Sequence, residues 1–538
     1  MFCNRVLVST MATFFVAAHL FAFSPPKGAK KPAFDFNSAR IPMLSITLQE
    51  SQFHVNVLAS EEFQGRRTGT PGQWLAAKYI AEEFSSYGLV PAGDNGTFYQ
   101  NFGIAHIDLA HAAMWLESNS RQPGEKMEFS LKDDFIPMSF TGEYNVAAEV
   151  VFAGYGITAP EYGYDDYAAI DVRGKIVFVL RHEPREYDPT SIFDGRNETR
   201  HARPDVKAEN AIKHGAIAML LVTDPARNHG SMAPRGYWPS LHSRGGRLPR
   251  RWELDSEPVN KHFQVIWIGA TVAKAILRHT GFSLLTLQTN IDKTLRPQSF
   301  QIYGPRVHLE TRLDKDVHST QNVVGFLRGA DPDRHDEVVV IGAHYDHIGM
   351  QNGLIHPGAD DNASGTAGLL EIAEAFTETP VRPRRSVLFI AFSAEELGLL
   401  GSQYYVEHAV MPLERTATMV NLDMIGRNHA NRVTIVGGRR SPELYELNLA
   451  ANEEVGLNLF YDGEKYFNRS DQANFAKYNI PVIFYNTKVH EDYHRPTDSA
   501  EKINPEKLAR VARLAFLVSW KVANLDVWPT YRPFDLRH

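Results

Sequence analysis

The sequence predicts an α/β fold: a mixed, mostly parallel sheet sandwiched by helices, with a smaller β-rich domain inserted into it. Three observations point there. Residues 338–341, 386–392, 418–422 and 481–485 are short apolar runs without polar alternation, the texture of strands covered on both faces. Helical periodicity appears between and around them, as over 364–376, where Leu369, Leu370, Ile372, Ala373 and Phe376 fall on one side and Ser364 is expected to cap. Each run also releases ionisable residues at its carboxyl end: His344 and Asp346, then Glu395-Glu396, then Asp423, then Asp492-Tyr493-His494. Open α/β sheets bind ligands at that edge. Histidines and carboxylates without cysteine suit a divalent ion used in chemistry, not a structural zinc.

Taken in order, residues 1–24 hold one charged residue, Arg5, and an apolar run over 6–23. Ala22-Phe23-Ser24 followed by Pro25-Pro26 predicts a cleaved signal peptide and an exported protein, periplasmic or extracellular. The only cysteine, Cys3, lies in that segment, so a mature chain would draw no stability from disulfides. Residues 25–47 read as a disordered leader. Residues 48–148 read as the N-terminal part of the main domain. Their helix over 74–87 is expected to put Trp74, Leu75, Tyr79, Ile80 and Phe84 in the core, with Gly88 as its stop. Near 149 the texture changes to short strands, and 149–280 reads as the insert. Its arginine-rich stretch over 235–251, with Tyr237, Trp238 and Trp252, reads as a solvated surface. Residues 281–538 return to the main domain and end on a helix over 505–522. The net charge of −7 argues against a nucleic-acid partner. No later run is apolar enough to stay in a membrane after signal cleavage. Nothing in the sequence specifies an oligomeric state.

Five motifs carry a resemblance. His344-Tyr-Asp346, Gly358-Ala-Asp360-Asp361-Asn-Ala-Ser-Gly365, Glu395-Glu396-Leu-Gly, Asn421-Leu-Asp423-Met and Tyr493-His494 occur in the order found in the co-catalytic di-zinc exopeptidases. The chain resembles that family, which includes secreted bacterial aminopeptidases, glutamate carboxypeptidase II and the transferrin receptor. The segment with Gly154-Tyr-Gly156, Asp165-Asp166-Tyr167 and Gly174-Lys-Ile176 resembles the family's protease-associated domain.

The resemblance implies two Zn2+ per chain, with His344 and Asp423 on one ion, Glu396 and His494 on the other, and Asp361 bridging. Asp360 competes for the bridge, but Asp361 stands where the family's bridging residue does, three before Ser364. It further implies Glu395 as general base, Asp346 as the carboxylate orienting His344, and Tyr493 as an oxyanion donor. On an extended chain Glu395 and Glu396 would point to opposite faces, so one can ligate while the other addresses water. His347, His356 and His490 read as loop or supporting residues. Asn468, Arg469 and Asp471 stand where relatives line the substrate pocket. The expected activity is zinc-dependent removal of N-terminal residues from peptides with a free N-terminus. A glutamate carboxypeptidase-like exopeptidase and a receptor-like binding protein are the alternatives.

Overall fold

The structure, a computed structural model, describes residues 36–118, 126–186, 188–195, 197–225, 250–255 and 262–533. The signal segment, Cys3 and the arginines at 235, 244 and 247 lie outside the described residues. The sheet is built on β1 (Tyr99–Ser118), β2 (Phe300–Leu327), β3 (Val338–His344), β4 (Ser386–Phe392), β5 (Thr416–Leu422), β6 (Arg432–Val436), β7 (Asn458–Phe460) and β8 (Val482–Asn486). Its order is β7-β6-β8-β5-β3-β4-β2. The centre is parallel: β3 pairs with β4 and β5, and β5 with β8. β2 closes one side antiparallel to β4.

β3, β4 and β5 are buried at every position because both faces are covered. Val339, Ile341 and Ala343 point to one face, where helices Gly365–Thr377 and Pro505–Asn524 pack with Leu48–Leu58 and Pro71–Ser86. Val338 and Val340 point to the other, against Tyr405, Val406 and Phe475. The sheet's carboxyl edge, where the ionisable residues emerge, lies between these layers.

Three expectations need correction. The helix Pro71–Ser86 buries Ala76, Ala77, Ile80 and Phe84, while Trp74 and Leu75 are exposed. Its Phe84 ring packs on β2 where Gly325 leaves room, since a Cβ there would stand 2.9 Å from the ring. The leader is helical in its second half, over Asn37–Ser45, because Ala39, Met43 and Ile46 join the core. Ser364 does not cap the helix after it. Its hydroxyl donates to the Asp360 carbonyl at 2.8 Å, and Asn362 Oδ1 accepts the Gly365 N–H at 2.9 Å instead.

The insert has its own core on parallel strands Tyr144–Phe152, Ile176–Leu180, Ala218–Val222 and Gln264–Ile268. That core also takes Met114 and Leu116 of β1, Ile302, Val307 and Leu309 of β2, and Leu287 and Ile291 of the helix Leu284–Thr294. The two cores therefore share β2. The reason is physical: β2 pairs with Tyr144–Phe152 in its first half and with β4 in its last, so no break in the chain separates the cores. Among the described residues, no helix is long and apolar enough to cross a membrane.

Candidate metal centre

His344 is the last residue of β3 and is 1% exposed. Its Nδ1 stands 3.1 Å from the Asp346 carbonyl, which fixes Nδ1 as the donor and leaves Nε2 to face the cleft. Nε2 is 3.4 Å from Asp361 Oδ1, 3.4 Å from Asp423 Oδ1 and 3.9 Å from Glu395 Oε2. A second group forms next to it. His494 Nε2 is 3.0 Å from Asp361 Oδ2 and 3.2 Å from Glu396 Oε2. His347 Nδ1 is 2.7 Å from Glu396 Oε1 and 3.8 Å from Asp361 Oδ2. Asp361 thus turns one oxygen to each group.

Backbone shape delivers these side chains. Ala394 (φ 58°), Met424 (φ 59°) and His494 itself (φ 57°) are non-glycine residues in the left-handed region, each in or beside a ligand position. Such conformations cost ~1–2 kcal/mol per residue and persist where surrounding structure imposes them. Gly358 (φ +59°) passes so close to His347 that an added Cβ would meet its ring at 2.5 Å.

The residues fit divalent ions. His347 Nδ1 and Nε2, Glu396 Oε1, Asp423 Oδ1 and His494 Nε2 are buried yet make no hydrogen bond of acceptable geometry, despite their short separations. Buried polar atoms are seldom left unpaired. Four tetrahedral ligands at ~2.1 Å from a zinc ion stand ~3.4 Å apart, close to most of these separations. The groups His344–Glu395–Asp423 and His347–Asp361–Glu396–His494 each bring their ligand atoms within 4.8 Å of one another.

On the protein's own charges the carboxylates divide. Burial drives Glu395 well above the usual carboxylate range; His344 opposes this, while Asp423, Glu396 and Asp471 add to it. Glu396 is held low although burial and Asp361 push it up, because His347 and His494 lie beside it. Burial raises the Tyr493 hydroxyl, helped by the Asp361, Glu396, Asp423 and Glu395 carboxylates, so it stays protonated. The Tyr493 ring stacks on His494 at 3.9 Å.

The other expected residues are spread. Asp360 turns away from the ligands, accepting the Gly426 N–H at 2.7 Å and facing His490 at 3.3 Å. Asp346 does not orient His344 through its carboxylate, which is 3.8 Å from Nδ1; the backbone carbonyl does that. Its carboxylate accepts the Thr68 hydroxyl at 2.9 Å and the N–H groups of Glu395 and Glu396 at 3.1 and 3.4 Å. Arg469 lines the cleft beside the ligands with Met424, Tyr466, Phe484, Val489 and Tyr493. Asn468 is exposed and outside that lining; Asp471 is buried behind it, its carboxyl pushed up to about 7, by burial first.

Three residues matter here beyond those expected to ligate. His347, which the sequence places among loop or supporting residues, stands within reach of Glu396 and Asp361; its position three after His344 is the available signal. Asp498 accepts the N–H groups of Asp360 and Asp361 at 3.1 and 3.2 Å and so fixes the segment that carries Asp361. Arg66, fully buried, donates to the carbonyls of Tyr345, Leu58, Pro357 and Gly358 at 2.5 to 2.9 Å, tying both ligand loops to the N-terminal segment.

Residues 322–519 match peptidase family M28, and residues 146–246 match the PA domain. The chain is similar to aminopeptidase YwaD of Bacillus subtilis, 33% identical over 39% of this chain and 46% of that protein. It is also similar to aminopeptidase NAALADL1 of Rattus norvegicus, 27% identical over 49% and 40%. A glutamate carboxypeptidase 2 homolog of Caenorhabditis briggsae is 25% identical over 69% and 54%. The chain therefore spans about half the length of the curated relatives it matches. The solved aminopeptidase from Aneurinibacillus sp. strain AM-1 shares the fold, with TM-score 0.50 and 22% identity over 92% of this chain and 98% of that one.

Proposed function

We propose, from a chain whose residues 322–519 match peptidase family M28 and whose residues 146–246 match the PA domain, that it is an exported zinc-dependent aminopeptidase working with two ions. One observation carries the reading: Asp361 turns Oδ1 toward His344 at 3.4 Å and Oδ2 toward His494 at 3.0 Å, as a carboxylate shared between two ions would. His344 and Asp423 would hold one ion, and Glu396 and His494 the other, with His347 within reach of the second. Relatives named as aminopeptidases support the reaction class. The apolar segment 6–23 supports export.

When bound, two zinc ions supply Lewis-acid polarisation and lower the pKa of water toward neutrality. The chain's own residues would do the rest. Glu395 takes a proton from the attacking water and passes it to the departing amine. The Tyr493 hydroxyl donates to the oxygen on which negative charge develops. Asp346 holds the backbone of Glu395 and Glu396 so that one faces the water and the other a metal position. Asp361, Asp498 and Arg66 keep the bridging loop in place. A side chain of the substrate would lie against Met424, Phe484 and Val489.

Arg469 at the cleft favours one second reading, a carboxypeptidase gripping a substrate carboxylate. Zinc counting with a panel of aminoacyl chromogenic substrates, beside N-blocked peptides with free carboxylates, separates the two. Turnover of aminoacyl substrates alone supports the aminopeptidase. Turnover confined to the blocked peptides would replace it.

A further inference from the structure

The insert repeats on a small scale the arrangement that serves the metal centre. Ile176–Leu180 and Ala218–Val222 are adjacent parallel strands, with Leu180 opposite Val222. The residues just past their carboxyl ends meet: His182 from one and Asp224 from the other, each 2% exposed. His182 Nδ1 stands 3.0 Å from Asp224 Oδ2 and 3.5 Å from Glu186 Oε2. One nitrogen therefore faces carboxylate oxygens from two residues. A single N–H···O bond explains the first contact but not the convergence of the second carboxylate on the same atom. The three ligand atoms lie within 4.8 Å of one another, and the contacts to nitrogen bracket the ~3.4 Å expected around a zinc ion.

The surrounding charges point the same way. Glu198 Oε1 lies 3.8 Å from His182 Nε2, and the buried Glu183 accepts the Thr199 N–H at 3.0 Å. Buried Lys207 donates to the His182 carbonyl at 2.6 Å and to that of Tyr155. The Arg181 N–H donates to Asp224 at 2.9 Å while its guanidinium lies over Trp267. Glu183, Glu186 and Asp224 stand inside this loop cluster, and Glu198 lies exposed at its rim.

We propose that the insert carries a divalent-ion site of its own, formed by His182, Glu186 and Asp224 and suited to zinc. An imidazole with two carboxylates matches zinc better than calcium or magnesium, which take oxygen ligands. Three protein ligands leave one position to solvent. The ion would tie the ends of two strands to the loop after His182, so its role is to brace the insert. None of its residues belongs to the metal centre.

The test counts zinc. Wild type and the variants His182→Ala, Glu186→Gln and Asp224→Asn are dialysed against the same buffered low-micromolar zinc, and metal per chain is measured by mass spectrometry. Each variant is expected to hold one ion fewer than wild type and to keep turnover of a small substrate unchanged. The difference between wild type and variant reads the insert alone, however many ions the metal centre holds. Equal zinc counts in wild type and variants overturn the site. Should His182→Ala fail to fold, Glu186→Gln carries the comparison, because its side chain lies at the edge of the cluster and is 9% exposed.

Discussion

The Asp346 carboxylate accepts the backbone N–H of Glu395 at 3.1 Å, so a residue two positions after His344 holds the turn that carries both glutamates. The same carboxylate reaches the Thr68 hydroxyl at 2.9 Å. One side chain thereby joins the N-terminal segment, β3 and the loop after β4. Asp346→Ala removes that joint without removing a ligand. Zinc affinity is expected to fall ~10–100-fold, the usual effect of losing a supporting partner. Metal titration of the purified variant measures it, and unchanged affinity would mean that the turn holds itself.

Glu395 and Glu396 should fail differently. Glu395→Gln keeps size and hydrogen bonding but cannot take a proton, so zinc should stay bound while turnover drops ~10²–10⁴-fold. Glu396→Gln removes an anion that faces His347 at 2.7 Å and His494 at 3.2 Å, so zinc and activity should fall together. Bound zinc and turnover on both variants decide it; the opposite pattern exchanges the two roles.

Arg66→Ala takes away the donors to four carbonyls, three of them on or beside the ligand loops. Removing a buried charged donor of this kind costs ~3–5 kcal/mol. Urea unfolding of the metal-free protein should show a loss of that order. A loss under ~1 kcal/mol would mean that water replaces the guanidinium at little cost.

Glu371 supplies a pH dependence away from the metal centre. Burial pushes its carboxyl up to about 8, opposed by the Thr47 N–H at 2.9 Å and reinforced by Glu50 and Glu374. His54, 3.7 Å away, is itself pushed down to about 4 by burial, so it provides no compensating charge. A carboxyl raised above its unfolded value binds its proton more tightly in the folded state. Its contribution is complete below about 4.5 and fades as pH climbs through about 8. Glu371→Gln should therefore unfold at a higher temperature than wild type at pH 9 and differ little from it at pH 4.5. Parallel thermal scans test this, and a constant gap across the range would contradict it.

The sheet, and the gathering of histidines and carboxylates at its carboxyl edge, could be read from the chain because each rests on a local signal. Unbroken apolar runs such as 386–392 have one stable setting, a strand covered on both faces, and whatever follows such a strand emerges at one edge. What escaped detection depends on contacts between distant segments. His347 reaches the ligands because Gly358 allows its ring close and the Arg66 carbonyl accepts its N–H at 3.2 Å; neither is visible near residue 347 in the sequence. Trp74 and Leu75 are bulky and apolar, yet the helix buries Ala76, Ala77, Ile80 and Phe84 instead, a choice of face fixed by packing on distant β2. Pro42 inside Asn37–Ser45 disguised a short helix as leader. The sharing of β2 between the two cores left no mark in the sequence, because one strand runs through both without a change of texture.

The length of β2 has a mechanical consequence. Its 28 residues pair with the insert's strand at one end and with β4 of the main sheet at the other, and β1 runs beside it along most of that span. Load applied to the insert would be carried by two shared strands, as through a beam, and not absorbed by a hinge. Removing the insert at any loop would strip cover from Val307 and Leu309 and leave a bare edge on the beam. Among the described residues the two cores are joined through both strands, and they are expected to unfold together.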